Sequence, residues 1–331
     1  MTQTPQAHPS GPGERKAPAA PRPRLGSYLR LARPDNWFKN VFVVPGAVVA
    51  ARLTGASPAS WWLPFVVAIA ATCAIASANY VLNEWLDREF DRHHPEKSNR
   101  PAVREPLVPW LVYLEYLVFA VVGLAAAASM SIDLALAEAA LLGMGVLYNV
   151  RPFRSKERVY VDVLSEAINN PIRLLIGWFS VAPGTFPPSS FLFAYWMGGA
   201  YLMGIKRYSE FRAIHDPGTA ALYRRSFRYY SESKLLLAAI LYALLAVSMG
   251  SVFLVKYRIE LILAVPFVCI QFAWYFAIGL RPNSAAQHPE RMWREGPFAL
   301  YSLFVVLLLL FGLFVRIPAL HVLLRQAFVV D

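Results

Sequence analysis

Asn83, Asp87 and Asp91 stand four residues apart in the stretch Asn83-Glu84-Trp85-Leu86-Asp87-Arg88-Glu89-Phe90-Asp91, with Lys97-Ser98-Asn99-Arg100-Pro101 behind it. On a helix four residues advance by about 400°, so the three side chains stay within an arc of about 80° on one face. Two carboxylates and an amide oxygen stacked this way suit a hard, oxygen-seeking cation. Mg²⁺ in particular binds through one or two carboxylates plus substrate phosphates. A solvated helix end would carry the same residues. Here, however, the acids follow a long apolar run from about Pro58 to Leu82 and sit beside several cations. That context favours a metal–phosphate site at a membrane surface, with Lys97 and Arg100 as phosphate clamps. A second polar stretch, Lys206-Arg207-Tyr208-Ser209-Glu210, follows a later apolar run and supplies further clamps in Lys206 and Arg207.

The elements that must hold these residues are apolar. Of 331 residues, 57% are hydrophobic and 16% are charged, a balance that excludes an ordinary soluble domain and predicts an all-α, polytopic membrane protein. Nine spans are expected, at about 38–52, 60–84, 106–128, 132–149, 160–181, 188–207, 233–255, 259–280 and 297–318, each read as a membrane helix. Residues 1–27 are rich in Pro, Ala and basic side chains and predict a disordered cytoplasmic tail without a signal peptide; residues 28–331 form the catalytic domain. Cys73 and Cys269 both lie in apolar runs and predict no disulfide.

Charge gives the orientation. The tail and the connections after the second, fourth, sixth and eighth spans hold 26 of the 32 Lys and Arg residues. The opposite side has only Arg52, Lys256, Arg258, Arg316 and Arg325, and Arg173 lies within a span. By the positive-inside rule the N-terminus is cytoplasmic, the C-terminus is outside and both polar stretches face the cytoplasm. Most of the net charge of +11 is thereby explained without nucleic acid.

Arg173 is costly in a span unless it faces a polar cavity. It is expected either to be satisfied by carbonyls and by Asn169 and Asn170, or to bind a lipid phosphate. Lys39 and Trp37 either anchor an interfacial helix or reach a substrate phosphate. Tyr208, Tyr223, Tyr229 and Tyr230 read as interfacial aromatics, or as a short lid over the site.

The Asn83-x-x-x-Asp87-x-x-x-Asp91 block after the second of nine spans resembles the first Asp-rich motif of the UbiA-type intramembrane prenyltransferase superfamily. Within it, decaprenyl-phosphate phosphoribosyltransferases are most similar. The likeness rests on Arg33-Pro34-x-x-Trp37-x-Lys39-Asn40, the Asn83–Pro101 block, Asp162 with Arg173 and Gly177, and Lys206-Arg207-Tyr208-x-Glu210, with a looser His288-Pro289-Glu290. The resemblance implies nine helices around a central cavity with a cytoplasmic active site, in a bacterial inner membrane. It implies Mg²⁺ on Asn83, Asp87 and Asp91, and catalytic roles for these three and Lys206. It also implies substrate contacts from Lys39, Lys97, Arg100, Arg173, Lys206, Arg207, Tyr208 and Glu210. Where prenyltransferases of the superfamily carry a second Asp-rich motif, this chain has a Lys-Arg pair. That departure favours transfer of 5-phosphoribose from phosphoribosyl pyrophosphate to a polyprenyl phosphate over transfer of an isoprenoid from its diphosphate to a small acceptor. Glu84, Asn169-Asn170-Pro171 and Tyr148–Phe153 also depart from the pattern. The oligomeric state is left open.

Overall fold

The structure, a computed structural model, describes residues 25–92, 97–214, 223–282, 284–288, 292 and 294–324. Among these residues every regular element is helical. In chain order the α-helices are α1 (Leu25–Leu31), α2 (Val44–Thr54), α3 (Pro58–Asp91), α4 (Pro101–Arg104), α5 (Pro109–Ala128), α6 (Ile132–Asn149) and α7 (Val161–Ala167). They continue as α8 (Asn169–Val181), α9 (Ser189–Ala213), α10 (Glu232–Tyr257), α11 (Val265–Gly279), α12 (Gly296–Phe314) and α13 (Pro318–Leu323).

Six segments are long and apolar enough to cross a membrane: α3, α5, α6, α10, the run Ile259–Gly279 that ends in α11, and α12. Exposed Leu117 and Val121 on α5, Leu237 and Leu244 on α10, and Leu303 and Leu307 on α12 fit faces turned to lipid. The three other expected spans take different forms. Residues 38–52 are a 3-10 turn, Pro34–Val43, followed by the eleven-residue α2. Residues 160–181 split into α7 and α8, because Pro171 has no N–H to offer the carbonyl of Ala167 four residues earlier. Helix α9 is long enough at 25 residues, but its Ser, Gly, Tyr and charged positions leave it less apolar.

The predicted tail boundary at residue 27 falls too late. Helix α1 begins at Leu25, Ser27 is fully buried against the Glu105 carboxylate, and Tyr28 Oη accepts from the Val108 amide at 3.0 Å. The rest of the predicted tail lies outside the described residues, as do Pro289, Glu290 and Arg325.

Two apolar clusters form the core. One gathers Ala47, Ala71, Ile75, Leu141 and Ile176; the other gathers Ala200, Tyr201, Ala239, Tyr242 and Ile278. Small residues let these helices approach closely. A close backbone approach joins α2, with Val43 just before it, to α8. A Cβ on Gly46 would stand 2.0 Å from the Leu174 carbonyl oxygen, and one on Gly177 would stand 1.9 Å from that of Val43. Backbone therefore lies on backbone there, and no side chain larger than hydrogen fits at either position.

Helix α3 sets the position of the site. Its 34 residues extend about 50 Å, so about 20 Å projects beyond a hydrocarbon layer of about 30 Å. Asn83, Asp87 and Asp91 ride on this one continuous helix, as the four-residue spacing predicts.

Candidate active site

Asp87 and Asp91 occupy the last turns of α3, where the helix dipole is negative and a carboxylate is disfavoured unless cations offset it. Cations arrive from two directions. Lys156 Nζ lies 2.6 Å from both oxygens of Asp87, and Arg154 Nη2 lies 2.9 Å from Oδ1. Lys156 also donates to Asn149 Oδ1 at 2.8 Å, which ties it to the end of α6. Arg100 Nη1 meets Asp91 Oδ2 at 2.6 Å, as expected of a residue from the basic stretch that follows α3.

Arg154 is held in a left-handed backbone conformation, φ 32°. For a residue with a side chain that costs roughly 1–3 kcal/mol. The conformation is over-determined by its guanidinium, which grips Asp87 on one side and Glu157 at 2.6 Å on the other. Burial pushes the pKa of Lys156 down, and the Asp87 carboxylate opposes that shift.

The second half of the site is built on Arg207, and here the sequence reading is corrected. Expected as a phosphate clamp, Arg207 is 1% exposed. Its guanidinium meets Glu166 at 2.5 Å, Glu210 at 2.9 Å and Asp162 at 3.7 Å. A guanidinium enclosed by three carboxylates organises the site from behind and is not presented to a ligand. Glu210 is correspondingly engaged with Arg207, and Lys206 Nζ stands 4.0 Å from its other oxygen. Tyr208 is also corrected. Its ring is buried against Phe227, Tyr230 and Leu235, so it packs the core. Lys206 remains partly exposed and available to an anion.

The aromatic connection after α9 closes over this half. Ser226 Oγ and Tyr230 Oη donate to the two oxygens of Asp162 at 3.0 and 2.7 Å, and Arg224 Nη1 lies 3.9 Å away. Arg225 bridges to the other half, pairing with Glu157 at 3.0 Å and lying 5.3 Å from the ring centroid of Phe90 on α3. Lys97 sits between the halves. Burial and the nearby Arg224 and Arg100 guanidinium groups push its pKa down to about 8, against the pull of Asp91 and Glu210.

Two expected site residues stand apart from this centre. Arg173 donates to Asn40 Oδ1 at 3.1 Å and to the Asn169 carbonyl at 3.4 Å, so the charge finds partners inside the bundle. Lys39 is half-buried with Nζ 5.8 Å from the ring of Phe38, and its neighbour Trp37 donates to Ser77 Oγ at 2.9 Å.

Among the described residues no group of three or more His, Cys, Asp or Glu side chains gathers to hold a metal. Asn83, Asp87 and Asp91 follow one side of α3, where Asn83 and Asp87 are partly exposed and Asp91 is 4% exposed and paired with Arg100.

A family model described as the UbiA prenyltransferase family matches residues 43–303. The chain belongs to this family. Among curated relatives, it is 29% identical over 233 residues to the nodulation protein NoeC of Azorhizobium caulinodans, covering 68% of this chain and 73% of that one. It is likewise 29% identical over 218 residues to a decaprenyl-phosphate phosphoribosyltransferase of Mycobacterium tuberculosis, covering 64% and 68%. The fold is similar to that of a solved UbiA homologue from Archaeoglobus fulgidus bound to DMAPP and Mg²⁺. The TM-score is 0.66 at 22% identity, over 88% of this chain and all of that one. The protein is thus an integral membrane enzyme of the UbiA superfamily.

In this UbiA-family chain the departures noted in the sequence have local physical roles. Glu84 is 3% exposed and accepts from the Ala102 amide at 3.2 Å, pinning α4 to α3. Tyr148 Oη donates to Glu166 at 3.0 Å. Asn170 packs its amide into the space left by the missing side chain of Gly199. Sequence reasoning missed Arg154 and Lys156, which it counted only for topology, and Glu166. The Asp162-x-x-x-Glu166 spacing, which repeats that of Asp87 and Asp91, was the available signal for the last.

Proposed function

We propose that this UbiA-family enzyme transfers 5-phosphoribose from phosphoribosyl pyrophosphate to a polyprenyl phosphate and releases pyrophosphate. In this reading the site faces the cytoplasm from a nine-span bundle of a bacterial inner membrane, with the N-terminus inside and the C-terminus outside. One observation carries it: the acids of the α7–α9 half, Asp162, Glu166 and Glu210, are all committed to the buried Arg207. Among the described residues that half keeps no carboxylate pair apart from those on Arg207 for a second divalent ion, while Lys206, Lys97 and Arg224 make it cationic. Direct contact with phosphate oxygens suits such a surface, and a donor bearing both a pyrophosphate and a 5-phosphate needs it. The likeness to the mycobacterial phosphoribosyltransferase supports the same assignment.

The residues on α3 fit a magnesium ion. Their donors are hard oxygens at helical spacing, and the cations that now hold them, Lys156 and Arg154 on Asp87 and Arg100 on Asp91, reach in from separate loops and would give way to the ion. Asp87 and Asp91, with Asn83, would hold Mg²⁺, and the donor phosphates would complete its shell. When bound, the ion supplies neutralisation of the charge on the departing pyrophosphate. Lys97, Arg100 and Lys206 grip phosphate oxygens and fix the donor. As the bond from ribose C1 to the pyrophosphate oxygen breaks, C1 gains oxocarbenium character. An oxygen of the polyprenyl phosphate then forms the new bond from the opposite face. That oxygen is already anionic and needs little general-base help, so positioning and electrostatics carry the reaction.

A second reading is prenyl transfer to a small acceptor. It is favoured by the fold shared with a homologue that binds DMAPP and Mg²⁺. Membranes containing the enzyme, incubated separately with labelled phosphoribosyl pyrophosphate and a labelled prenyl diphosphate, distinguish the two. The proposal expects a phosphoribosylated lipid by mass spectrometry from the first donor alone, and its loss on chelation of Mg²⁺. Label in lipid-soluble product from the prenyl diphosphate alone overturns it.

A further inference from the structure

A second charged cavity lies at the end of the bundle remote from Asp87. Helix α2 ends there, three residues before α3 begins, so Arg52 is separated from Asp91 by the full length of α3, about 50 Å. The cavity, of about 580 Å³, gathers Arg52, Lys256, Arg258, Arg316 and His321 around Glu260. Four of the five Lys and Arg residues that the chain carries on this side therefore meet at one point, although they come from three separate connections. Glu260, 2% exposed, is the one carboxylate among the lining residues, and it is engaged by Arg258 at 3.5 Å and by His321 at 2.9 Å.

Helix capping accounts for part of this cluster. Arg52 Nε donates to the Leu313 carbonyl at 3.0 Å, and Arg258 Nη2 donates to those of Gly312 and Val315 at 3.1 Å, offsetting the negative end of α12. It does not account for Lys256 or Arg316. Both are exposed, and neither has a carboxylate within salt-bridge distance among the described residues. Four cations against one carboxylate leave the cavity at +3 with His321 neutral. Its rim is apolar: Val255 is 66% exposed, Leu324 44%, and the adjoining α13 exposes Val322 and Leu323, each 78%. A cationic cavity with an apolar rim, at the end of a membrane-crossing bundle, matches an anion that is attached to acyl chains.

We propose that this cavity binds the phosphate of an anionic lipid headgroup, with Lys256 and Arg316 as its principal ligands and the acyl chains against Val255, Leu324 and α13. The site is separate from the reaction centre and does not depend on which donor is used there. The test compares the full-length protein in detergent with its Lys256→Gln/Arg316→Gln variant, using phosphatidylglycerol, phosphatidylcholine and inorganic phosphate as probes. Phosphatidylglycerol is expected to raise the Tm of the unaltered protein by several degrees more than phosphatidylcholine. The variant is expected to lose that difference while keeping its transferase activity. Native mass spectrometry is expected to find phosphatidylglycerol retained by the unaltered protein and not by the variant. Equal response to both lipids, or the same phosphatidylglycerol response in protein and variant, overturns the proposal. A phosphate-induced shift equal to that from phosphatidylglycerol assigns the cavity to a soluble anion and overturns the lipid source.

Discussion

Lys156 Nζ stands 2.6 Å from both carboxylate oxygens of Asp87, although 69 residues separate the two in the chain. The ammonium lies where a ligand cation would be wanted, at the end of a helix whose dipole disfavours an uncompensated acid. Asp87 is therefore the acid most exposed to exchange between an internal cation and an external one.

Replacing either carboxylate should disable the chemistry without unfolding the protein. Asp87→Asn and Asp91→Asn are each expected to lower kcat by about 10²–10³, the range found when one charge-stabilising group is lost. Activity in membranes at saturating donor and Mg²⁺ checks this, and full activity in both variants would remove the acids from the mechanism.

Lys156→Gln removes the internal competitor for Asp87. The Mg²⁺ concentration for half-maximal activity is expected to fall several-fold, whatever happens to kcat. A Mg²⁺ titration of variant and unaltered protein reads this directly; an unchanged midpoint would mean that Lys156 does not compete for the ion.

The site should weaken as Lys97 loses its proton. Its folded pKa of about 8 lies below its ordinary value of 10.5. Between those two values the unfolded chain holds a proton that the folded protein has released, so the contribution of Lys97 to stability rises with pH across that window. Donor binding runs the other way, because the phosphate clamp is charged only below about pH 8. The donor KM is expected to rise above pH 8, and Lys97→Arg should flatten that limb because arginine stays protonated. A limb of the same size in the Arg variant would assign it to another group.

Arg207 should matter through stability first. Removing a buried ion-pair partner typically costs about 3–5 kcal/mol, and Arg207→Met leaves three carboxylates without their shared cation. A marked fall in Tm is expected for the detergent-solubilised protein. Lys206→Ala, at a partly exposed position, should leave Tm nearly unchanged and raise the donor KM. If Arg207→Met unfolded at the temperature of the unaltered protein, the three-acid enclosure would carry no stability.

The α2–α8 contact gives a packing test. Gly177→Ala would drive a methyl group to 1.9 Å from the Val43 carbonyl oxygen, whereas a Cβ on Gly143 meets nothing within 4 Å. Overpacking of this kind costs about 1–3 kcal/mol, so Gly177→Ala should lower Tm and Gly143→Ala should not. Equal Tm values for the two variants would refute the close approach.

Much of this arrangement is legible in the sequence. The Asn83–Asp91 spacing predicts a shared helix face, and α3 runs unbroken through it. The apolar runs identify the six segments long and apolar enough to cross a membrane, whereas Pro34, Pro45 and Pro171 break up two further expected spans in ways that hydropathy does not register. Pairings across long separations were not legible. A charge count assigns Lys156 to a side of the membrane and says nothing of its reach to Asp87. Arg207 and Lys206 are adjacent in the chain, yet one is enclosed by acids and the other is open, since consecutive helical residues face directions about 100° apart.

The glycine contact between α2 and α8 also bears on how a lipid reaches the reaction centre. Where one backbone rests on another, no gap is left for a hydrocarbon chain to slip through, and Gly46 and Gly177 make that wall a sealed seam. An isoprenoid tail drawn from the bilayer must thread between other helices. Traffic between membrane and active site is thereby confined to the remaining sides of the bundle.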